Sequence, residues 1–419
     1  MSAPPDAACP RLVLVESNTS GTGRLFVRRA AEMGLHPVLL AARPERWGVL
    51  AAEGAEVRGV DTADPGALLD ACRAIAEEAP LAGVWSSSEY FVAAAAALAR
   101  ALGLPGPSAE AIRACRDKER QRVVLGAAGA GIPRFAAATT VGEALAAAAG
   151  IGYPVVLKPV DGSGSVGVRL CATPDEAEIH AALLLGAAGN ERGLPVRAAL
   201  LVEELATGPE FSVELFDGQA LALTGKHVSE PPWFVETGHD VPAAVPPADA
   251  DVLRRAAEHA VRALGLGWGP VHAELRLTAA GPRIIEVNPR LAGGFIPELV
   301  RLATGVDLIR ATLQACTGAA PEVRATAAGA ASIRFVLPPA DGVLEGSTGL
   351  DRASEDPAIA EARLYVEPGA RVRRAGDFRD RVGHVIAAGA TTAGAAAAAG
   401  RALSTVHLRV RMPETAEAA

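Results

Sequence analysis

Apolar positions between residues 11 and 105 come in short runs separated by amphipathic stretches. The runs at 12–15, 37–40 and 83–85 predict strands, and 23–33, 67–78 and 91–102 predict helices. That β-α-β-α order predicts a parallel sheet with helices on both faces, a Rossmann-like domain over 1–105. Pro105, Gly106 and Pro107 then punctuate the chain.

Residues 108–129 predict two helices, with Ser108 as an N-cap. Short apolar runs at 155–158, 169–171, 199–203 and 211–216 predict one antiparallel sheet with a Gly-rich hairpin at 161–167. The polar, Pro-rich stretch 229–247 reads as a loop. A helix at 249–264, strands at 271–277 and 283–287, and helices at 296–304 and 308–317 follow. Residues 321–419 read as an appended α+β domain, with strands at 332–336, 362–365, 382–388 and 405–410 and an Ala-rich helix at 393–403. The expected units are therefore 1–105, 106–225, 226–320 and 321–419.

Composition narrows the classes. The chain has 419 residues and a net charge of −8, which argues against sequence-independent binding to nucleic acid or anionic membrane. No apolar run reaches the roughly 18 residues of a membrane helix. The segment Met1 to Pro10 lacks the pattern of a secretory signal. Five scattered Cys, with no Cys-x-x-Cys pair, suggest neither a disulfide framework nor a zinc site, so a reduced cytoplasm is expected. Of the 40 basic residues only Lys118, Lys158 and Lys226 are lysines, and Asn18, Asn190 and Asn288 are the only asparagines. Those six positions invite scrutiny.

Three constellations carry chemistry. In the first, a strand delivers Lys158 into the turn Gly162-Ser163-Gly164-Ser165, with Gly167 beyond. Glycines let backbone N–H groups approach phosphate oxygens, serines add hydroxyl donors, and the lysine supplies a cation. No Gly-Lys-Ser/Thr opens a helix here, so this is not a Walker A loop; alone, it reads equally as a plain β-hairpin. The second runs Glu203-Glu204-Leu205, turns through Gly208-Pro209 and resumes at Glu210. By itself it is a solvated turn. The third spans two strands, with Glu274 on one and Glu286, Asn288 and Arg290 on or just beyond the other. Antiparallel pairing can set Glu274 opposite Glu286, and Asn288 shares their face because side chains repeat every second residue. Such hard oxygen donors suit Mg²⁺ bridging phosphates, and facing carboxylates repel without a cation. Arg290 can fork onto phosphate or carboxylate.

In this order, with Asp117-Lys118 ahead of them, the constellations resemble the ATP-grasp superfamily over residues 105–320. The resemblance implies an α/β ATP-grasp fold and a set of roles. Lys118 and Lys158 would contact ATP phosphates, with Lys158 also near adenine N7. Ser163, Gly164 and Ser165 would close over the phosphates. Glu203 would accept from the adenine amino group beside the Glu204 and Leu205 backbones, and Glu210 would hold the ribose. Glu274, Glu286 and Asn288 would hold two Mg²⁺, with Mn²⁺ as a substitute.

Glu236-Thr237-Gly238-His239 resembles the Glu-x-Gly-His loop of L-amino acid ligases, which make dipeptides. The Asn-Pro-Arg-x-x-Gly-Gly run at 288–294 and the C-terminal appendage fit that group too. This resemblance implies that Glu236 holds the substrate amino group and that His239 sits near the acyl phosphate or the incoming amine. Arg290 and the Gly293 amide would bind the carboxylate and stabilise the oxyanion, leaving Lys158, His239 and Arg290 as the catalytic set. The implied reaction joins a small-molecule carboxylate to an amine through an acyl phosphate, releasing ADP and phosphate. Family resemblance also suggests a homodimer. Gly294 stands where relatives carry larger residues, which would leave more acceptor room.

Other features leave alternatives open. Gly21-Thr22-Gly23 hints at a dinucleotide fold, but Phe26 occupies the third glycine position. Arg43 and Arg46 would be placed to meet a 2′-phosphate. Lys226-His227 either line the site or form a surface pair, Trp233 adjoins the substrate segment, and residues 381–384 either cover the site or are structural. The competing functions are a biotin-carboxylase-type or purine-pathway ligase, an NADP-binding oxidoreductase, and a non-catalytic ATP-binding scaffold.

Overall fold

The computed structural model describes residues 9–18 and 22–412. Gly21 of the dinucleotide-like turn lies outside them. The N-terminal domain is a four-stranded parallel sheet in the order Glu56–Gly59, His36–Ala41, Arg11–Val15, Leu81–Trp85. Helices Thr22–Glu32, Pro65–Glu78 and Val92–Ala101 match the apolar spacing. Strand Glu56–Gly59 had no apolar signal. It is an edge strand whose Glu56 and Arg58 pair with each other, and Arg58 reaches on to Glu78. Ser108 caps helix Ala109–Arg116 by accepting from the Ala111 N–H, and Asp117 caps Lys118–Ala127 in the same way through Arg120.

The expected antiparallel sheet divides in two. Strands Phe135–Ala138, Leu200–Glu204, Val155–Pro159 and Arg169–Cys171 form a small sheet, in that order. Helices Val141–Ile151 and Pro174–Leu185 cover it with alanine and leucine. Strand Glu210–Phe216, expected in the same sheet, instead enters a second one. The chain crosses from one to the other between Glu204 and Glu210.

That second sheet has eight antiparallel strands and organises the rest of the molecule. Its order is Gly281–Asn288, Pro270–Thr278, Glu210–Phe216, Gln219–Val228, Glu236–Val241, Ala330–Val336, Gly383–Gly389, Ile359–Leu364. The C-terminal α+β domain is thus joined edge to edge with the central strands, and adds a three-stranded sheet of its own. The boundary expected at 225/226 falls inside strand Gln219–Val228.

Residues 229–247 were read as a loop, and this is corrected. Glu236–Val241 is an interior strand, between Gln219–Val228 and Ala330–Val336. Its polar residues are satisfied in place. Asp240 accepts from Arg334 at 2.8 Å and pairs with His227 at 2.6 Å. A strand stabilised by ion pairs shows no apolar alternation.

Candidate active site

One cavity of about 670 Å³ lies where the N-terminal domain, the small sheet and the eight-stranded sheet meet. Every candidate site residue lines it except His239, which is fully buried behind Gly294.

The phosphate end is built on two buried lysines. Lys158 Nζ lies 2.6 Å from Glu203 Oε2, and the same carboxylate accepts from Arg122 Nε at 2.7 Å. Lys118, at the first position of its helix, donates to Glu286 Oε1 at 2.6 Å and to the Gly162 carbonyl at 2.7 Å. Their titration differs. Burial, reinforced by Arg122, pushes Lys158 down to about 8 despite Glu203. Lys118 is equally buried, but Glu286 and Glu89 outweigh the desolvation and hold it above its ordinary value. Glu203 was expected to face the adenine. Each of its oxygens meets a cation here, and the Glu204 side chain turns out to Arg134. Burying Glu203 uncompensated would be costly, which explains its two partners.

Arg122 was not legible as a site residue. It is 1 % exposed, and it also donates to the Ile285 carbonyl. Arg122→Met is expected to lower stability by about 2 kcal/mol, through loss of the charge-assisted hydrogen bonds to Glu203 and the Ile285 carbonyl. The urea midpoint measures this, and an unchanged midpoint would contradict it.

The hairpin register is as expected, with Glu274 opposite Glu286 and His272 opposite Asn288. These all-oxygen donors on one face fit a hard divalent cation whose remaining ligands are phosphate oxygens and water. Both carboxylates here face ammonium groups. Glu286 meets Lys118, and Glu274 meets Lys226 at 3.1 Å as well as His272 at 3.0 Å. Burial works against a charged His272, but Glu214 and Glu274 raise it to about 9.

Lys226 resolves the question left open for Lys226-His227. The side chains alternate across the strand, so His227 is exposed while Lys226 is buried in the cleft. Its Nζ lies within 3.1 Å of Glu210, Glu236 and Glu274. Despite burial, those carboxylates hold it well above the ordinary lysine value. Glu210, expected at the ribose, is also gripped by Arg276 Nη2 at 2.7 Å.

At the substrate end, Glu236 bonds Lys226 at 2.9 Å and Arg381 at 2.7 Å, with His239 Nε2 3.6 Å away. Burial keeps His239 below its ordinary value, and both ring nitrogens lack a partner among the described residues. Arg290 forks onto Glu89 at 2.5 Å, and Glu89 accepts from Ser163 Oγ at 2.7 Å. The glycine loop is therefore held from two sides. Gly164 has φ +65°, and a Cβ there would lie 2.5 Å from the Phe378 ring; the Phe378 backbone N–H donates to the Gly164 carbonyl. Glu89 and Phe378 carried no signal in sequence, because each is a lone residue brought in by a distant element.

A nucleotide-sized cleft between a lid sheet and a metal-competent hairpin, lined by paired lysines and carboxylates, defines an ATP-grasp enzyme. The chain belongs to the ATP-grasp superfamily, among its carboxylate–amine ligases. Family models match as an ATP-grasp N-terminal domain over 27–106, an ATP-grasp domain over 151–298 and L-amino acid ligase C-terminal domain 2 over 334–411. Uncharacterized protein y4rH of Sinorhizobium fredii is 38 % identical over 387 residues, covering 92 % of this chain and 80 % of that one. Carnosine synthase 1 of Gallus gallus is 31 % identical across 67 % of this chain, which spans 33 % of that larger protein. The L-amino acid ligase of Bacillus licheniformis shares the fold at 23 % identity, with a TM-score of 0.82 over 96 % of this chain and 99 % of that one. No helix of the described residues is long and apolar enough to cross a membrane.

Proposed function

We propose that this chain joins two amino acids into a dipeptide, activating the carboxylate of one as an acyl phosphate at the expense of ATP. The observation that carries the reading is the juxtaposition of Glu236, His239 and Gly294 beside the cleft that Arg290 also lines. Similarity to L-amino acid ligases and to carnosine synthase supports it. The proposed setting is the reduced cytoplasm; the five free cysteines, four of them buried, are compatible with it.

The geometry suggests how the residues act. Lys118 donates to the Gly162 carbonyl of the glycine loop and Lys158 lines the same cleft, where both would neutralise the transferring phosphoryl group. Mg²⁺ bound by Glu274, Glu286 and Asn288 would offset the remaining phosphate charge. Ser163 and Gly164, held by Glu89 and Phe378, close the loop and keep water from the acyl phosphate. Arg290 would exchange Glu89 for the substrate carboxylate, and the Gly293 amide would face the oxyanion that forms when the amine attacks. His239, neutral and unpartnered, would take a proton from the incoming ammonium, so that the free amine attacks.

A matrix of amino acids and amines, read by ADP release and product mass, tests the reading. A product with the mass of a dipeptide supports it. ADP release that needs bicarbonate and consumes no amine would overturn it. The lowered Lys158 value adds a pH signature. Its charge is present below about pH 8 and lost above, so kcat/KM for ATP should fall on the alkaline side of pH 8. A flat profile from pH 7 to 10 would contradict it.

A further inference from the structure

Gly294 has φ +58°, and a Cβ built there would lie 2.6 Å from His239 Nε2 and 3.4 Å from Arg381 Nη1. The room expected beside this glycine is therefore filled, by a histidine from beneath and by an arginine from the C-terminal domain. Arg381 lies with its guanidinium carbon 4.6 Å from the Phe335 ring centre, and its Nε donates to the Phe378 carbonyl at 3.3 Å. One nitrogen of its fork, Nη1, is on Glu236. The other, Nη2, donates to no described residue, and the side chain lines the cavity.

The charge of Glu236 is already answered when no ligand is present. Lys226, which it shares with Glu210 and Glu274, lies on one side and Arg381 completes the set on the other. An ammonium arriving at Glu236 adds a positive charge beside Arg381, in a place largely withdrawn from water. The α-carboxylate of such a ligand does not restore the balance, because it is given up to the phosphoryl group. A second carboxylate on the ligand would restore it, and the open Nη2 edge is a donor for one.

We propose that Arg381 is a specificity-determining residue that selects, for the amino acid held at Glu236, one with a carboxylate side chain. This rests on the reading of Glu236 as the ammonium site of a ligase. ADP release is measured with acidic amino acids and their amides, glutamate against glutamine and aspartate against asparagine, as the activated substrate. The native enzyme is expected to show a KM about tenfold to a hundredfold lower for the acid, the scale of one charge-assisted hydrogen bond. Arg381→Met should raise KM for the acid to that of the amide measured in the same variant. Arg381→Lys should recover part of the preference. Equal KM values for acid and amide in the native enzyme overturn the proposal, whatever the variants do. So does a variant that weakens both substrates alike, which would mark Arg381 as a clamp on Glu236 only. ADP release with neutral amino acids alone would sink this inference and spare the ligase reading, whereas no ADP with any amino acid would sink both.

Discussion

Lys158→Ala is expected to end ADP formation, with a rate loss of about a thousandfold or more, the range known for removing one cation from a phosphoryl-transfer site. The protein should remain folded. Glu203 keeps Arg122 at 2.7 Å after the lysine is gone, so no carboxylate is stranded in the interior. Arg122 supplies no substitute, because it is committed to Glu203 and to the Ile285 carbonyl. Paired thermal unfolding and ADP assays separate the two effects. A folded variant with near-native ADP release would remove Lys158 from the phosphate end of the cleft.

The second large effect is expected from Glu286→Gln. The carboxylate faces Glu274 across the hairpin and meets Lys118 at 2.6 Å. The amide keeps the shape and removes the charge on which both a divalent cation and Lys118 depend. The Mg²⁺ concentration for half-maximal rate should rise about tenfold or more, and the limiting rate should fall about a hundredfold. Lys118 keeps the Gly162 carbonyl, so the glycine loop stays anchored. A Mg²⁺ titration that overlays the native curve would take Glu286 out of the metal set.

The contrast between what sequence revealed and what it hid has a physical basis. Lys158 and the glycine turn, the Glu203–Glu210 hinge and the Glu274/Glu286/Asn288 hairpin are each local, so a few adjacent letters define a strand face or a turn. The hidden residues act at long range. Arg122 lies 81 residues from Glu203, and Glu89 lies 201 from Arg290. A lone charge on a helix or loop looks like solvated surface until packing supplies its partner. The fold divides similarly. The parallel N-terminal sheet was legible because its inner strands are apolar on both faces. Strands Glu56–Gly59 and Glu236–Val241 were not, because ion pairs do the work of apolar burial there. The split of the expected single sheet also escaped, since strands 200–204 and 210–216 are separated by only five residues.

Lys118, Lys158 and Lys226, the chain's three lysines, all lie in one cleft with side chains no more than 7 % exposed. To reagents that acylate or reductively alkylate ε-amines, the outer surface presents nothing. Immobilising or labelling the enzyme through lysine would therefore fail or strike the cleft itself. Covalent loss of lysine, read peptide by peptide in a mass spectrometer, becomes a direct gauge of whether the cleft is open.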